Sequence, residues 1–227
     1  MLGFRIFDLT RRVDKSWINK FHAIPVANIS DVMTRMSAGG ASLRPMHAAG
    51  NLCGPAFTVR TRPGDNLMVH KAIAMAEPGD VIVVDAGGDL TNAIIGELMT
   101  STAQKKGLAG IVINGAIRDV GVIGKGSFPV YAAGVTHRGP YKDGPGEINV
   151  PIGLGGMVIE PGDLIVGDDD GLLSIPYGDV ERVYDAAAAK HQLEEQMMAD
   201  IANDTLDISW IDAALLRLKC EVSRGTR

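Results

Sequence analysis

Cysteine is scarce: Cys53 and Cys220 are the only two in 227 residues. They lie far apart and fit no metal-ligand spacing, so both are expected as reduced thiols, with Cys53 a small core residue inside NLCGPAFTVR. Aromatic residues make up only 5% of the chain, too few for a base-stacking platform. Positive charge is also short. With 22 Lys and Arg against 27 Asp and Glu, the net charge is −5, which argues against nucleic acid as the main partner, because clustered cations drive binding to the phosphate backbone. No apolar run approaches the roughly 18 residues of a membrane span. MLGFRIFDLTRR lacks the apolar stretch of a secretory leader. The expectation is a cytoplasmic protein with neither a membrane nor a nucleic-acid partner.

Familiar catalytic signatures are missing too. There is no Walker phosphate loop, no G-x-S-x-G elbow and no H-E-x-x-H pair, and GLGGM (153–157) lacks the third glycine of a dinucleotide fingerprint. The five histidines show no ligand spacing. His70 stands about one helical turn beyond Asp65 and Asn66 and could face a cleft. Asp168, Asp169 and Asp170 could attract a hard cation, although three acids in a Gly-bounded turn are commonly just solvated.

What is present is a globular composition: 46% hydrophobic and 22% charged residues, with 28 glycines. A single domain of this length buries roughly 70–75% of its unfolded surface, enough for a core without staples. DKSWINKFHAI (14–24) is predicted as a helix stopped by Pro25, and Ser30 as the cap of a second helix over DVMTRM. GPAFTVRTR (54–62) alternates as a strand. Asp65 is expected to cap a helix over NLMVHKAIAMA. VIVVD (81–85) reads as a strand covered on both faces. A helix is predicted over TNAIIGELMTSTAQKK, with Gly107 just past its end. AGIVIN (109–114) and PVYAAGV (129–135) read as strands, with a short helical turn after Arg118. Residues 149–175 read as short strands joined by Gly and Pro turns, and two helices, about 178–202 and 207–222, close the chain. The alternation of strand and helix in the middle supports an α/β fold with parallel pairing.

EPGDVIVVDAGG (77–88) and EPGDLIVGDDDG (160–171) share one frame. Pro-Gly suits the centre of a type II turn, so the frame reads as a turn–strand device used twice. In the last helix, Ile208, Ile211, Leu215 and Leu218 form one stripe, with Trp210 nearby. Such a stripe either packs on its own domain or is shared between subunits.

The pair with most chemical promise is Arg118-Asp119. In open α/β sheets, ligands sit outside the carboxyl ends of the strands. This pair follows strand 109–114, and GGDLTNAIIGE (87–97) follows strand 81–85. If the two strands are neighbours, both segments frame one crevice. An arginine there suits a two-pronged grip on a carboxylate, and an aspartate suits a hard divalent cation completed by waters. An adjacent Arg-Asp pair is otherwise a surface salt bridge worth under about 1 kcal/mol. Lys142, in GPYKDGPG, is the one lysine in a suggestive loop, either as a Schiff-base former or as a solvated, substrate-steering group.

The stretch GGDLTNAIIGELMTSTAQKKGLAGIVINGAIRDV resembles the signature of the RraA-like proteins. GDNLMVHKA, FPVYAAGVTHRGPYKDGPGEINVPI and PGDLIVGDDDG extend the likeness over about residues 26–200. The family includes class II pyruvate aldolases acting on 4-hydroxy-4-methyl-2-oxoglutarate and 4-carboxy-4-hydroxy-2-oxoadipate. It also includes RraA regulators that bind ribonuclease E. The resemblance implies a single RraA-like domain of the swivelling β/β/α type, with N-terminal helices to 40, an α/β core over 41–176 and C-terminal helices over 177–227, assembled as a trimer or a dimer of trimers. It implies that Gly96, Glu97, Leu98 and Met99 bind pyruvate, and that Arg118 grips the carboxylate and the developing enolate. Asp119 would hold Mg²⁺ or Mn²⁺, and Glu97 would position a water that the metal carries. Glu194 or Glu195 would reach a neighbouring subunit's site. The implied reaction is retro-aldol cleavage of a 4-hydroxy-2-keto acid, with oxaloacetate decarboxylation through the same enolate. One departure stands out: the aldolase motif continues Arg-Asp-x-x-acid, and here Val122 replaces the acid.

Overall fold

The computed structural model describes residues 2–37 and 39–221. Met1–Ala188 form one compact unit and Ala189–Arg227 a second. The elements in chain order are β1 (Phe4–Ile6), α1 (Lys15–Phe21), α2 (Val26–Val32), β2 (Arg44–Pro45), β3 (Leu52–Thr61), α3 (Leu67–Met75), β4 (Val81–Asp85), β5 (Ala93–Ile95) and α4 (Glu97–Lys106). They continue with β6 (Gly110–Ile117), α5 (Val120–Ile123), β7 (Val130–Val135), β8 (Gly146–Ile148), β9 (Ile152–Leu154), β10 (Met157–Ile159), β11 (Leu164–Asp168), β12 (Gly171–Ile175), α6 (Val180–Ala202) and α7 (Ser209–Arg217).

Ten strands form one mixed sheet along the path β1-β8-β3-β4-β6-β7-β2, with β11 and β12 branching from β3 and β5 attached to β6. β9 and β10 form a separate hairpin. The parallel centre is β3-β4-β6-β7. Burial explains its sequence. Val81 and Val83 enter one apolar cluster, and Ile82 and Val84 enter the other. Successive strand residues face opposite sides, so a strand covered on both faces is apolar throughout. β4 and β6 are direct neighbours, with Val84 opposite Ile113 and Asp85 opposite Asn114, as a crevice shared by the segments that follow them requires.

Three local expectations are corrected. The helix predicted over 91–106 is two elements, since Ala93–Ile95 pair with β6 as β5 and the helix starts only at Glu97. Ala93, Ile94 and Ile95 are all buried, and pairing with β6 outweighs their helical propensity. Ser30 lies inside α2 rather than at its start: α2 begins at Val26, whose N–H donates to Oδ2 of Asp168 at 2.9 Å. Oδ1 of Asp168 in turn accepts from Asp170 N–H at 3.0 Å, so main-chain donors engage both of its oxygens. Finally, the strand predicted over 109–114 runs to Ile117, so Arg118 follows it directly.

The repeated frame folds as the same device twice. Gly79 and Gly162 have φ of 94° and 89°, the left-handed region a type II turn demands and glycine supplies. Asp80 accepts from Glu77 N–H at 2.8 Å, and Asp163 accepts from Glu160 N–H at 2.9 Å. Neighbouring arginines serve the two turns. Arg11 reaches Glu160 and Asp163, and Arg12 reaches Asp80 in a two-pronged pair at 2.9 and 3.1 Å. Another buried acid, Glu147, accepts from Gly3 N–H, Arg5 and Arg60. Burial pushes its carboxyl up, but these donors outweigh that and hold it below the usual range.

In the second unit, α7 has no buried residue, and Trp210, Leu216 and Leu218 are exposed. The apolar stripe is thus uncovered in the single chain. No helix among the described residues is long and apolar enough to cross a membrane.

Candidate active site

A cleft of about 390 Å³ opens where β5 and β6 end. Gly96, Glu97, Leu98, Met99, Arg118 and Asp119 form one side, and Asn66, His70, Gly139, Pro140 and Lys142 also line it. The two segments marked by the sequence therefore meet around one space.

The local backbone explains how. β5 lies parallel to β6, with Ile95 opposite Ile117, and Arg118 N–H donates to Ile95 O at 3.0 Å. Both chains leave the sheet side by side. Gly96 then starts α4, and its carbonyl accepts from the N–H groups of Met99 and Thr100, both at 3.1 Å. Asp119 precedes α5 in the left-handed conformation, φ 60° and ψ 30°, which Asp tolerates better than most residues. This geometry turns its carboxylate back toward α4, where Oδ2 accepts from Glu97 N–H at 3.0 Å. Leu98 N–H, in the first turn of α4, has no hydrogen-bond partner among the described residues. A helix start with a spare N–H favours an anion.

Gly96 is required by space rather than by φ. A Cβ there would overlap Oδ2 of Asp119 and lie 2.9 Å from Cγ of Arg118. Arg118 sits 3.7 Å from Asp119 through Nε, with both side chains about two-fifths exposed. Its Nη1 lies against Gly139, since a Cβ on that glycine would be 3.3 Å away. The guanidinium therefore reaches from the β6 end to the opposite loop.

On that opposite side, Asn66 donates to Ile94 O at 2.9 Å, while its Oδ1 is buried without a hydrogen-bond partner. Partial desolvation lowers the His70 pKa, and nearby Lys142 lowers it further. His70 is therefore biased toward the neutral form. As pH falls through the ordinary histidine value, about 6.5, the unfolded chain takes up this proton before the folded one does, so any stability tied to neutral His70 is lost on acidification. We expect Lys142→Met to raise the His70 pKa without restoring it fully, because desolvation remains. An NMR titration of the imidazole checks this, and a downward move would contradict the geometry.

Among the described residues, no group of three or more His, Cys, Asp or Glu could hold a metal. The carboxylates at the cleft are Asp119 and Glu97, and Oδ1 of Asp119 has no hydrogen-bond partner among the described residues. One or two carboxylates completed by water suit Mg²⁺ or Mn²⁺ and do not suit a closed zinc site. This donor set therefore fits the expected cation.

Glu194 and Glu195 belong to the second unit, where they pair with Lys190 at 2.8 Å and His191 at 3.7 Å. Val122, in place of the family acid, is half exposed and lines a smaller hollow of about 110 Å³ together with Glu97. Sequence reasoning gave no role to Asn66, Gly139 or Pro140. Asn66, beside the expected helix cap, was the one within reach of local signals.

The sequence and the fold both have known relatives. The RraA-like family, described as Aldolase/RraA, matches residues 26–173. A protein of Halalkalibacterium halodurans named "Putative 4-hydroxy-4-methyl-2-oxoglutarate aldolase" is 42% identical over 85% of this chain and 91% of its own. Streptomyces coelicolor RraAS2, described as an unusual member of the RNase ES inhibitor RraA protein family, superposes with a TM-score of 0.74 at 27% identity, covering 82% of this chain and 96% of its own. The RNA-processing inhibitor RraA of Thermus thermophilis superposes at 0.62 with 30% identity, covering 67% and 92%. The family match spans the sheet centre and every cleft residue, and a relative aligns along nearly its whole length, so the chain belongs to the RraA-like family.

Proposed function

We propose that this protein is a divalent-metal-dependent pyruvate aldolase, cleaving a 4-hydroxy-2-keto di- or tricarboxylic acid to pyruvate and a second keto acid. One observation carries the reading: Arg118, Asp119 and the first turn of α4 converge on one cleft, locked together by the Glu97 N–H bond to Asp119. The names of the aldolase relatives support it.

Breaking the C3–C4 bond leaves an electron pair that the 2-keto oxygen must accept as an enolate. Asp119, with Glu97 nearby, would hold the cation, Mg²⁺ or Mn²⁺. When bound, it supplies Lewis acidity worth several kcal/mol toward the charge on that oxygen. Arg118 grips the carboxylate beside the keto group and adds a second positive charge near the enolate. Leu98 N–H, at the positive end of α4, donates to the same carboxylate. Glu97 holds a water, and through it takes the C4 hydroxyl proton and returns one to the methylene carbon of the enolate. The substrate beyond pyruvate faces His70, Pro140 and Lys142. Oxaloacetate decarboxylation passes through the same enolate and needs the same groups.

The assembly we propose is a homotrimer or a dimer of trimers, in which Glu194 or Glu195 of a neighbouring copy joins the site. The uncovered stripe on α7 supports association. We place the protein in the cytoplasm, with no nucleic-acid or membrane partner.

A second reading, a non-catalytic regulator binding a ribonuclease, draws on Val122 in place of the family acid and on the RraA relatives. A coupled assay separates the two. Pyruvate release from 4-hydroxy-4-methyl-2-oxoglutarate is expected with Mg²⁺, to stop on chelation and to return with added metal. Absence of release across a panel of 4-hydroxy-2-keto acids would favour the regulator.

A further inference from the structure

The two sides of the cleft are built differently. Residues 96–99 and Arg118-Asp119 leave the ends of paired strands, so the sheet holds them. Gly139, Pro140 and Lys142 lie on the connection between β7 and β8, outside named helices and strands. Sites on loops are less precise than sites on regular elements unless something fixes the loop.

Asp65 fixes this one. Its carboxylate is completely buried, and it is not among the cleft-lining residues. Oδ2 accepts from Asp143 N–H and Gly144 N–H, both at 2.8 Å, and from Arg62 at 3.1 Å. Oδ1 accepts from Leu67 N–H at 2.9 Å, at the start of α3. A buried carboxylate persists only with such compensation. The main chain adds further ties: Tyr141 N–H to Gly64 O at 2.8 Å, Asn66 N–H to Tyr141 O at 3.0 Å, and Arg62 N–H to Pro145 O at 3.2 Å. The backbone is thus pinned on both sides of Lys142, whose side chain stays exposed. The same carboxylate holds the start of the helix that presents Asn66 and His70.

We propose that Asp65 is a positioning residue. It ties the Lys142 loop to the start of α3 and so fixes the side of the cleft that meets the substrate beyond pyruvate, without touching substrate itself. This rests on the aldolase reading above, and the two can fail separately.

Asp65→Asn keeps the shape but turns an NH₂ group toward amide donors. With 4-hydroxy-4-methyl-2-oxoglutarate, kcat/KM is expected to fall by about tenfold or more, mainly through KM. Exchange of the pyruvate methyl protons in D₂O, which needs only the strand-end side, is expected to fall less than about threefold. Adding Asp65→Asn to Lys142→Ala should cost little more, because both act on one contact. The amides of residues 143 and 144 should exchange with solvent faster in the variant, while those of β4 and β6 stay protected. Should Asp65→Asn not fold, Asp65→Glu displaces the charge by one methylene and carries the same expected split. Equal losses in cleavage and methyl exchange, no loss in either, or unchanged protection at 143 and 144 would each overturn the positioning role. A wild-type protein that exchanges no pyruvate protons would instead overturn the aldolase reading, and this inference with it.

Discussion

Arg118→Lys should lower kcat/KM for aldol cleavage by about 10²–10³-fold, the scale for removing a donor aimed at developing negative charge. Lysine keeps the positive charge, so a loss of this size would report the two-pronged geometry that only a guanidinium supplies. The fold should hardly notice. Arg118 is substantially exposed, and its contact with Asp119 is a loose 3.7 Å, the kind of surface pair worth under about 1 kcal/mol. Asp119→Asn is the companion test. Asparagine tolerates the left-handed backbone at 119 and can still accept from Glu97 N–H, so the local structure should persist. What it loses is the carboxylate for the cation. Activity should fall by a similar factor, and Mn²⁺ binding followed by EPR should weaken by about tenfold or more, the low end of what loss of a supporting group costs a metal site. Steady-state kinetics with a thermal melt on each variant separates chemistry from stability. Wild-type turnover in either would remove the ground for placing the reaction here.

Gly96→Ala should have an effect of the same order from a single methyl group. The new Cβ would overlap Oδ2 of Asp119 and crowd Cγ of Arg118. Both neighbours are partly exposed side chains, so the least costly relief is for them to rotate away rather than for the strands to part. That relief breaks the bond between Asp119 and Glu97 N–H and misplaces the guanidinium at once. Losing one hydrogen bond to a charged group costs about 1.5–3 kcal/mol, which a domain of this size survives. A reacting group displaced by about 1 Å can cost about 10²-fold in rate. The expected outcome is a folded protein with more than about 100-fold lower kcat/KM and native-like circular dichroism. An active alanine variant would show that Asp119 and Arg118 need not hold the orientation seen here.

Sequence legibility followed the range of the interactions. VIVVD could be read because burial on both faces leaves its mark within five residues. The Pro-Gly turns could be read because φ alone dictates glycine. β5 could not, since three apolar residues look the same in a helix and in a strand, and only pairing with β6 decides. β1 and β8 pair across some 140 residues, and Glu147 gives no local hint that Arg5 and Arg60 will bury it. In the site, Arg118-Asp119 was legible as charge placed just past a strand, and the family likeness supplied Glu97 and the 96–99 segment. Asp65 could be read only as a helix cap. Its bonds to the amides of residues 143 and 144 close a loop of nearly eighty residues, and nothing near position 65 announces them.

The adjacent arginines at 11 and 12 bear on where the smallest self-sufficient piece of this protein begins. The family likeness starts at residue 26, which would invite trimming everything before it. Doing so would strip Asp80 and Asp163, both almost wholly buried, of the guanidiniums beside them. Burial already raises the Asp163 carboxyl above its ordinary value even with Arg11 in place. Arg11 and Arg12 therefore belong to the folding unit, one counter-charge for each copy of the turn.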